Sequence, residues 1–124
     1  MNKSTLVTYL DTFIGATQDY PFGPEALVYK VQGKMFAILS QGEGREYVTV
    51  KVKPADGEVL ASQFSDLTPG YHTNKKHWVT VYYPGDVEYG LIQDLCERSY
   101  ELVVGTLTRA QRAHLTMAPS KYVP

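Results

Sequence analysis

The segment from Tyr47 to Lys53 constrains the fold more than any other part of the chain. Val48, Val50 and Val52 alternate there with Tyr47, Thr49, Lys51 and Lys53. A period of two sorts side chains onto two faces only if the backbone is an extended strand. One apolar face and one polar face mean a sheet covered on one side and open on the other. Such sheets are antiparallel, since crossover helices cover both faces of a parallel one. The chain must therefore supply strands to flank this one and helices to cover its valines.

The rest of the sequence meets both demands. Leu27-Val28-Tyr29-Lys30-Val31 and Met35-Phe36-Ala37-Ile38-Leu39 flank Gln32-Gly33 and read as a hairpin. Gln41-Gly42-Glu43-Gly44 makes a second turn, and His77 to Tyr83 is a further strand closed by Pro84-Gly85. Leu6, Val7, Leu10, Phe13 and Ile14 recur at helical spacing, which predicts a first helix from Asn2 or Ser4 to Gly15. Pro54 ends the valine strand, and 56–64 reads as a short helix with Val59, Leu60 and Phe64 inward. Asp86 is placed to cap a longer helix whose Leu91, Ile92, Leu95, Leu102 and Val103 form one stripe. Thr108 and Gln111 have the spacing of a capping box for a last short helix. Residues 17–24 and 65–75, rich in Pro, Gly and Asp, read as loops. The expectation is one α+β domain over residues 1–116 with a frayed tail at 117–124. Its antiparallel sheet of about four to five strands packs on N- and C-terminal helices.

Charge and cysteine content narrow the classes of function. Twelve basic and 13 acidic residues give a net charge of −1, which draws the whole molecule neither to nucleic acid nor to an anionic membrane. Cys96 is the single cysteine, so no internal disulfide can form, which suits a reducing interior. Asp11 interrupts the apolar N-terminal stretch, whose periodicity is that of an amphipathic helix rather than a signal core. No run approaches the roughly 18 apolar residues of a membrane span. A cytoplasmic, monomeric protein without membrane association is expected.

Several blocks then fall in a recognisable order. Asp19-Tyr20-Pro21-Phe22-Gly23 is followed by Val28-Tyr29-Lys30-Val31 with Gly33-Lys34-Met35-Phe36. Pro69-Gly70-Tyr71-His72, Asn74-Lys75 and His77-Trp78-Val79-Thr80-Val81 come next, and Ser99-Tyr100-Glu101-Leu102-Val103 closes the series. In these residues the chain resembles the MmcQ/YjbR family from the first helix to about Leu115, with the His-Trp-x-Thr-Val block the most specific part. Thr73 departs from the pattern, standing where a larger apolar residue is expected. The resemblance implies a frataxin-like (CyaY-like) α+β arrangement and a DNA-binding role.

The residues themselves offer one leading surface. If the valines of the central strand face the helices, Tyr47, Thr49, Lys51 and Lys53 face outward. Lys76, Trp78, Thr80 and Tyr82 join them if Val79 and Val81 are also inward, and Lys30 does so if Leu27, Tyr29 and Val31 are inward. Lysines neutralise phosphates and aromatic rings stack on unpaired bases, although Lys, Thr and Tyr also serve any half-exposed strand. The run His72-Thr73-Asn74-Lys75-Lys76-His77-Trp78 concentrates donors and cations where a loop enters a strand. There Asn74 could instead satisfy the turn's backbone, and Trp78 could anchor the core. The candidate nucleic-acid contacts are therefore Lys30, Lys51, Lys53, Asn74, Lys75, Lys76, His77 and Trp78. The alternative is a protein-interaction or small-ligand module in which those residues are structural. His72, His77, His114 and Cys96 have no zinc-site spacing, and Glu88, Asp94, Glu97 and Glu101 read as a solvated helix face. Neither a nucleophile motif nor a phosphate loop is present. No metal, cofactor or enzymatic activity is expected.

Overall fold

The computed structural model describes residues 1–70 and 73–117. The chain runs through α1 (Lys3–Leu10), β1 (Ala16–Asp19), β2 (Leu27–Val31), β3 (Lys34–Gly42), β4 (Arg45–Lys51) and α2 (Pro54–Gln63). It continues through β5 (Leu67–Pro69), β6 (Trp78–Tyr83), α3 (Tyr89–Val104) and α4 (Arg109–Met117). The strands form one sheet in the order β1-β2-β3-β4-β6-β5, and every neighbouring pair is antiparallel. Both hairpins turn on two residues with positive φ, Gln32 (49°) with Gly33 (79°) and Glu43 (54°) with Gly44 (75°). That geometry matches the right-handed twist of the strands on either side.

The alternation of the central strand determines which face is covered. Val48, Val50 and Val52 share one core with Val79 and Val81 of β6, and with Tyr29 and Leu39 of the first hairpin. Leu6 and Leu10 of α1, Leu60 of α2, Leu95 and Val103 of α3, and Leu115 of α4 belong to that same core. All four helices therefore cover the valine face of the sheet.

Two of the six strands escaped the sequence pattern, and both lie at edges. Of β1, only Ala16 is buried, while Thr17, Gln18 and Asp19 are exposed; β5 buries Leu67 alone. A strand paired on one side with one inward residue carries no alternation to detect. The helix boundaries differ for local reasons. α1, capped by the Asn2 carboxamide, stops at Leu10, and the tighter bonds Thr12 N–H to Tyr9 and Phe13 N–H to Leu10 lead into Gly15. α3 begins at Tyr89 because the Asp86 carboxylate is used elsewhere, accepting from the Ser65 and Asp66 amides at 2.7 and 3.0 Å. In α2, Gly57 and Leu60 face the sheet, so Val59 turns outward and is 53% exposed. The Thr108–Gln111 capping box forms, each side chain bonding the other's amide. The tail 118–124 and His72 lie outside the described residues.

A bulge interrupts the first hairpin. Tyr29 opposes Ala37, but Lys30 opposes Met35, so Phe36 is the extra residue. Its ring is fully buried, stacked on Phe13 at 5.7 Å and edge-on to Tyr100 at 5.3 Å. Where the ladder between β3 and β4 lapses, Ser99 of α3 replaces it. Its hydroxyl donates to the Phe36 carbonyl at 2.6 Å and accepts from the Lys51 amide at 2.8 Å.

Cys96 sits in the core with no exposed surface, and burial raises its thiol from the ordinary 9.0 to about 12. Native protein should react with a thiol reagent only as fast as it unfolds. The same shift gives the fold an alkaline limit. Below pH 9 both folded and unfolded thiols are neutral and nothing is lost. Between pH 9 and 12 the unfolded thiol ionises first, so stability falls as pH rises. Burial acts likewise on Tyr9, raised from 10.0 to about 12. Denaturation midpoints from pH 8 to 11 should decline accordingly, and Cys96→Ala should flatten part of the slope.

Candidate nucleic-acid interface

The face opposite the helices is arranged in cross-strand rows, because residues in register point the same way. At one end Thr17, Lys30 and Met35 are in register, and beyond the bulge Lys51 pairs with Trp78. Lys30, Met35, Lys51 and Trp78 are each half-buried. The next row is Val28, Ile38, Thr49, Thr80 and Thr68. At the other end Ser40, Tyr47 and Tyr82 align, with the two tyrosine rings 5.6 Å apart at 67°.

The expectation that Tyr47, Thr49 and Thr80 present themselves to solvent is corrected. Thr49 and Thr80 are 1% and 0% exposed, and their hydroxyls bond each other at 2.8 Å. Two hydroxyls that satisfy one another can be buried without the desolvation cost of an orphaned polar group. Tyr47 is buried against Tyr82. Lys53 also leaves the face. β4 ends at Lys51, and Lys53 is the cap residue of α2, where Pro54 at the first helical position redirects the chain.

The remaining candidates gather at one end of the sheet. Lys51 lies beside Trp78, and the turn carrying Asn74, Lys75, Lys76 and His77 leads directly into that tryptophan. All four turn residues are exposed. Asn74 holds the turn: its side-chain oxygen accepts the Lys76 amide at 2.9 Å, and its carbonyl accepts the His77 amide at 3.2 Å. The Lys75 ammonium donates to the Gly70 carbonyl at 3.1 Å, which keeps its charge near Trp78. Trp78 is neither a core anchor nor a free ring, being half-buried at the strand's first position. Lys30 is further along the row and paired with Asp19 at 3.7 Å, an exposed bridge of little strength.

Sequence reasoning overlooked Arg45. Its guanidinium lies 5.3 Å over the Tyr82 ring and bonds Asp66 at 2.7 Å and the Pro84 carbonyl at 2.7 Å. The Arg45 bond holds the Asp66 carboxyl below its ordinary value. Arginine two residues before an outward tyrosine was the available signal. Met35 was missed because the bulge, invisible in the sequence, brings it into the Lys30 row.

Comparison with known proteins places this arrangement. The YjbR family model matches residues 12–102, which include the whole sheet and most of α3. The chain belongs to the YjbR family. It is 35% identical over 112 residues to the uncharacterized protein YjbR of Escherichia coli K12, spanning 90% of this chain and 95% of that one. It is also 37% identical over 90 residues to the uncharacterized protein YbdF of Escherichia coli O157:H7, covering 73% and 74%. Among solved structures, a Deinococcus radiodurans protein with a DUF419 domain superposes with a TM-score of 0.81. The sequence identity is 33%, over 97% of this chain and 90% of that one. A Pseudomonas syringae protein gives a TM-score of 0.73 at 25% identity, over 82% and 98%. The fold is thus shared with these two solved bacterial structures. Among the described residues, no helix is long and apolar enough to cross a membrane.

Proposed function

We propose that this YjbR-family domain binds DNA through the open end of its sheet, as a non-enzymatic protein of the reducing cytoplasm. One observation carries the reading: Lys51 is in register with the half-buried Trp78, and the exposed Lys75-Lys76-His77 turn leads into that pair. Ammonium groups beside a partly accessible indole supply what a sugar-phosphate chain with unpaired bases requires, charge along the backbone and an aromatic group to stack on. Lys30 extends the cationic row across the sheet. The net charge of −1 makes this a weak binder whose attraction is local rather than long-range.

The test is a Trp78 fluorescence titration with single-stranded and duplex DNA over a range of salt. Trp78 is the chain's single tryptophan, so the signal has one source. Three or four phosphate contacts give a log–log salt slope of about −3 on duplex, and quenching is stronger on single strands, whose bases are free to stack. Absence of binding to either form at low salt would overturn the reading.

A further inference from the structure

On the helix side of the molecule, α1 and the turn that follows it meet α3 and leave a recess of about 290 Å³. That volume is close to the lower end of the roughly 300–1,000 Å³ of small-molecule sites. Three aromatic rings line it, Tyr9 and Phe13 from α1 and its turn and Tyr100 from α3. The rings of Tyr9 and Tyr100 each stand at 81° to Phe13, with centroids 5.1 Å away. Hydrogen bonds across the seam fix both tyrosines. Tyr9 donates to the Gln93 carbonyl at 3.3 Å, and Tyr100 donates to the Ile14 carbonyl at 2.6 Å. All three rings are half-buried, and Ile14 beside them is 41% exposed. The recess is therefore formed before any occupant arrives, and its walls are aromatic.

The charges around these rings have one sign. Glu97 and Glu101, one turn apart on α3, line the recess, and among the described residues no cationic side chain does so. Both carboxylates are exposed, and the ion pairs among the described residues, Lys30–Asp19 and Arg45–Asp66, involve neither. Their field reaches the rings: burial raises the Tyr9 hydroxyl most, and the Glu97 and Asp94 charges raise it further. Arg98 shares an adjoining groove with Asp94, Glu97 and Glu101, and three carboxylates against one guanidinium leave two net negative charges. The larger cleft between α2 and α3, about 630 Å³, is lined by cations and carboxylates alike and has no such bias.

An aromatic face is itself negative, so the rings and the carboxylates favour the same ligand charge. A metal ion does not fit, because among the described residues no three His, Cys, Asp or Glu side chains converge to hold one. An alkylated ammonium ion does fit, since its apolar groups can lie on rings while its charge stays within reach of carboxylates. We propose that this recess binds a small alkylated ammonium ion. Its alkyl groups rest against Tyr9, Phe13 and Tyr100, and Glu97 and Glu101 balance its charge. The inference is independent of the DNA reading and uses the opposite side of the sheet.

The experiment follows the Ile14 methyls and the ring signals of Tyr9, Phe13 and Tyr100 by NMR while the full chain is titrated with choline chloride. Dimethylbutanol, with carbon in place of the nitrogen, supplies the same shape without the charge, and sodium chloride supplies the same ionic strength. Choline should shift these signals saturably, and neither control should. Glu97→Gln with Glu101→Gln, at two exposed positions where the fold tolerates change, should weaken choline roughly fivefold. Tyr9→Leu keeps the apolar bulk and removes one ring, and should weaken choline about as much with both carboxylates in place. Choline that moves none of these signals would overturn the proposal. So would dimethylbutanol or sodium chloride that moves them equally, or a folded variant of either kind that binds choline as the parent does.

Discussion

Ser99→Ala destabilises the fold by about 3 kcal/mol, the largest effect expected of any small substitution in this chain. Ser99 is completely buried, and its hydroxyl serves two backbone groups, the Phe36 carbonyl and the Lys51 amide. Alanine leaves the buried Phe36 carbonyl and the partly buried Lys51 amide without this partner, at roughly 1–3 kcal/mol for each unsatisfied buried group and less for one that water can reach. The methyl of alanine fits the space, so the loss comes from hydrogen bonding and not from a cavity. Urea denaturation of the two proteins should show a lower midpoint with an unchanged slope. An unchanged midpoint would show that β3 and β4 close across the bulge by themselves. The effect should reach the proposed DNA-binding surface too, because the Ser99 bond holds the backbone of Lys51 opposite Trp78.

The second large effect is on binding. Reversing Lys30, Lys51, Lys75 and Lys76 to glutamate takes the net charge from −1 to −9 and places four repulsive groups along the phosphate path. Affinity for DNA should fall more than about 100-fold at low salt, with the salt slope collapsing toward zero. Stability should change little, since these lysines are exposed or half-buried and the Lys30–Asp19 bridge is weak. Lys53→Glu provides the internal contrast, since that residue caps α2 away from the face. Equal losses from Lys53→Glu and from the fourfold variant would mean that the DNA path crosses the helices instead.

The inner face of the sheet was legible in the sequence because burial and period agree there. Val48, Val50, Val79 and Val81 face the helices as their alternation requires. The outer face was only half legible, for a physical reason: alternation assigns a side but says nothing about exposure. Thr49 and Thr80 alternate outward like Lys51 and Trp78, yet they are buried in one row with Val28 and Ile38, and their hydroxyls are satisfied by pairing with each other across strands. Pairing of that kind depends on register, which a single strand does not encode. The bulge at Phe36 was hidden likewise, because an extra residue between two apolar ones leaves the local pattern apolar. The cleft between α2 and α3 lay beyond reach, because residues such as Asp56 and Arg98 that line it are distant in the chain and meet only through the packing of α3.

Placing every helix on one side of the sheet separates two kinds of constraint within a single set of strands. A residue facing inward answers to volume and shape, because its neighbours are close-packed and few substitutes fit. A neighbour pointing the other way is free of that demand only where it reaches solvent, and on β4 and β6 that is the end carrying Lys51 and Trp78, since Tyr47, Thr49 and Thr80 are buried. A lineage can therefore rewrite that end while the valines and the threonine pair stay as they are. Relatives that keep this fold but recognise different partners should differ there, with change concentrated at positions in register with Lys51 and Trp78.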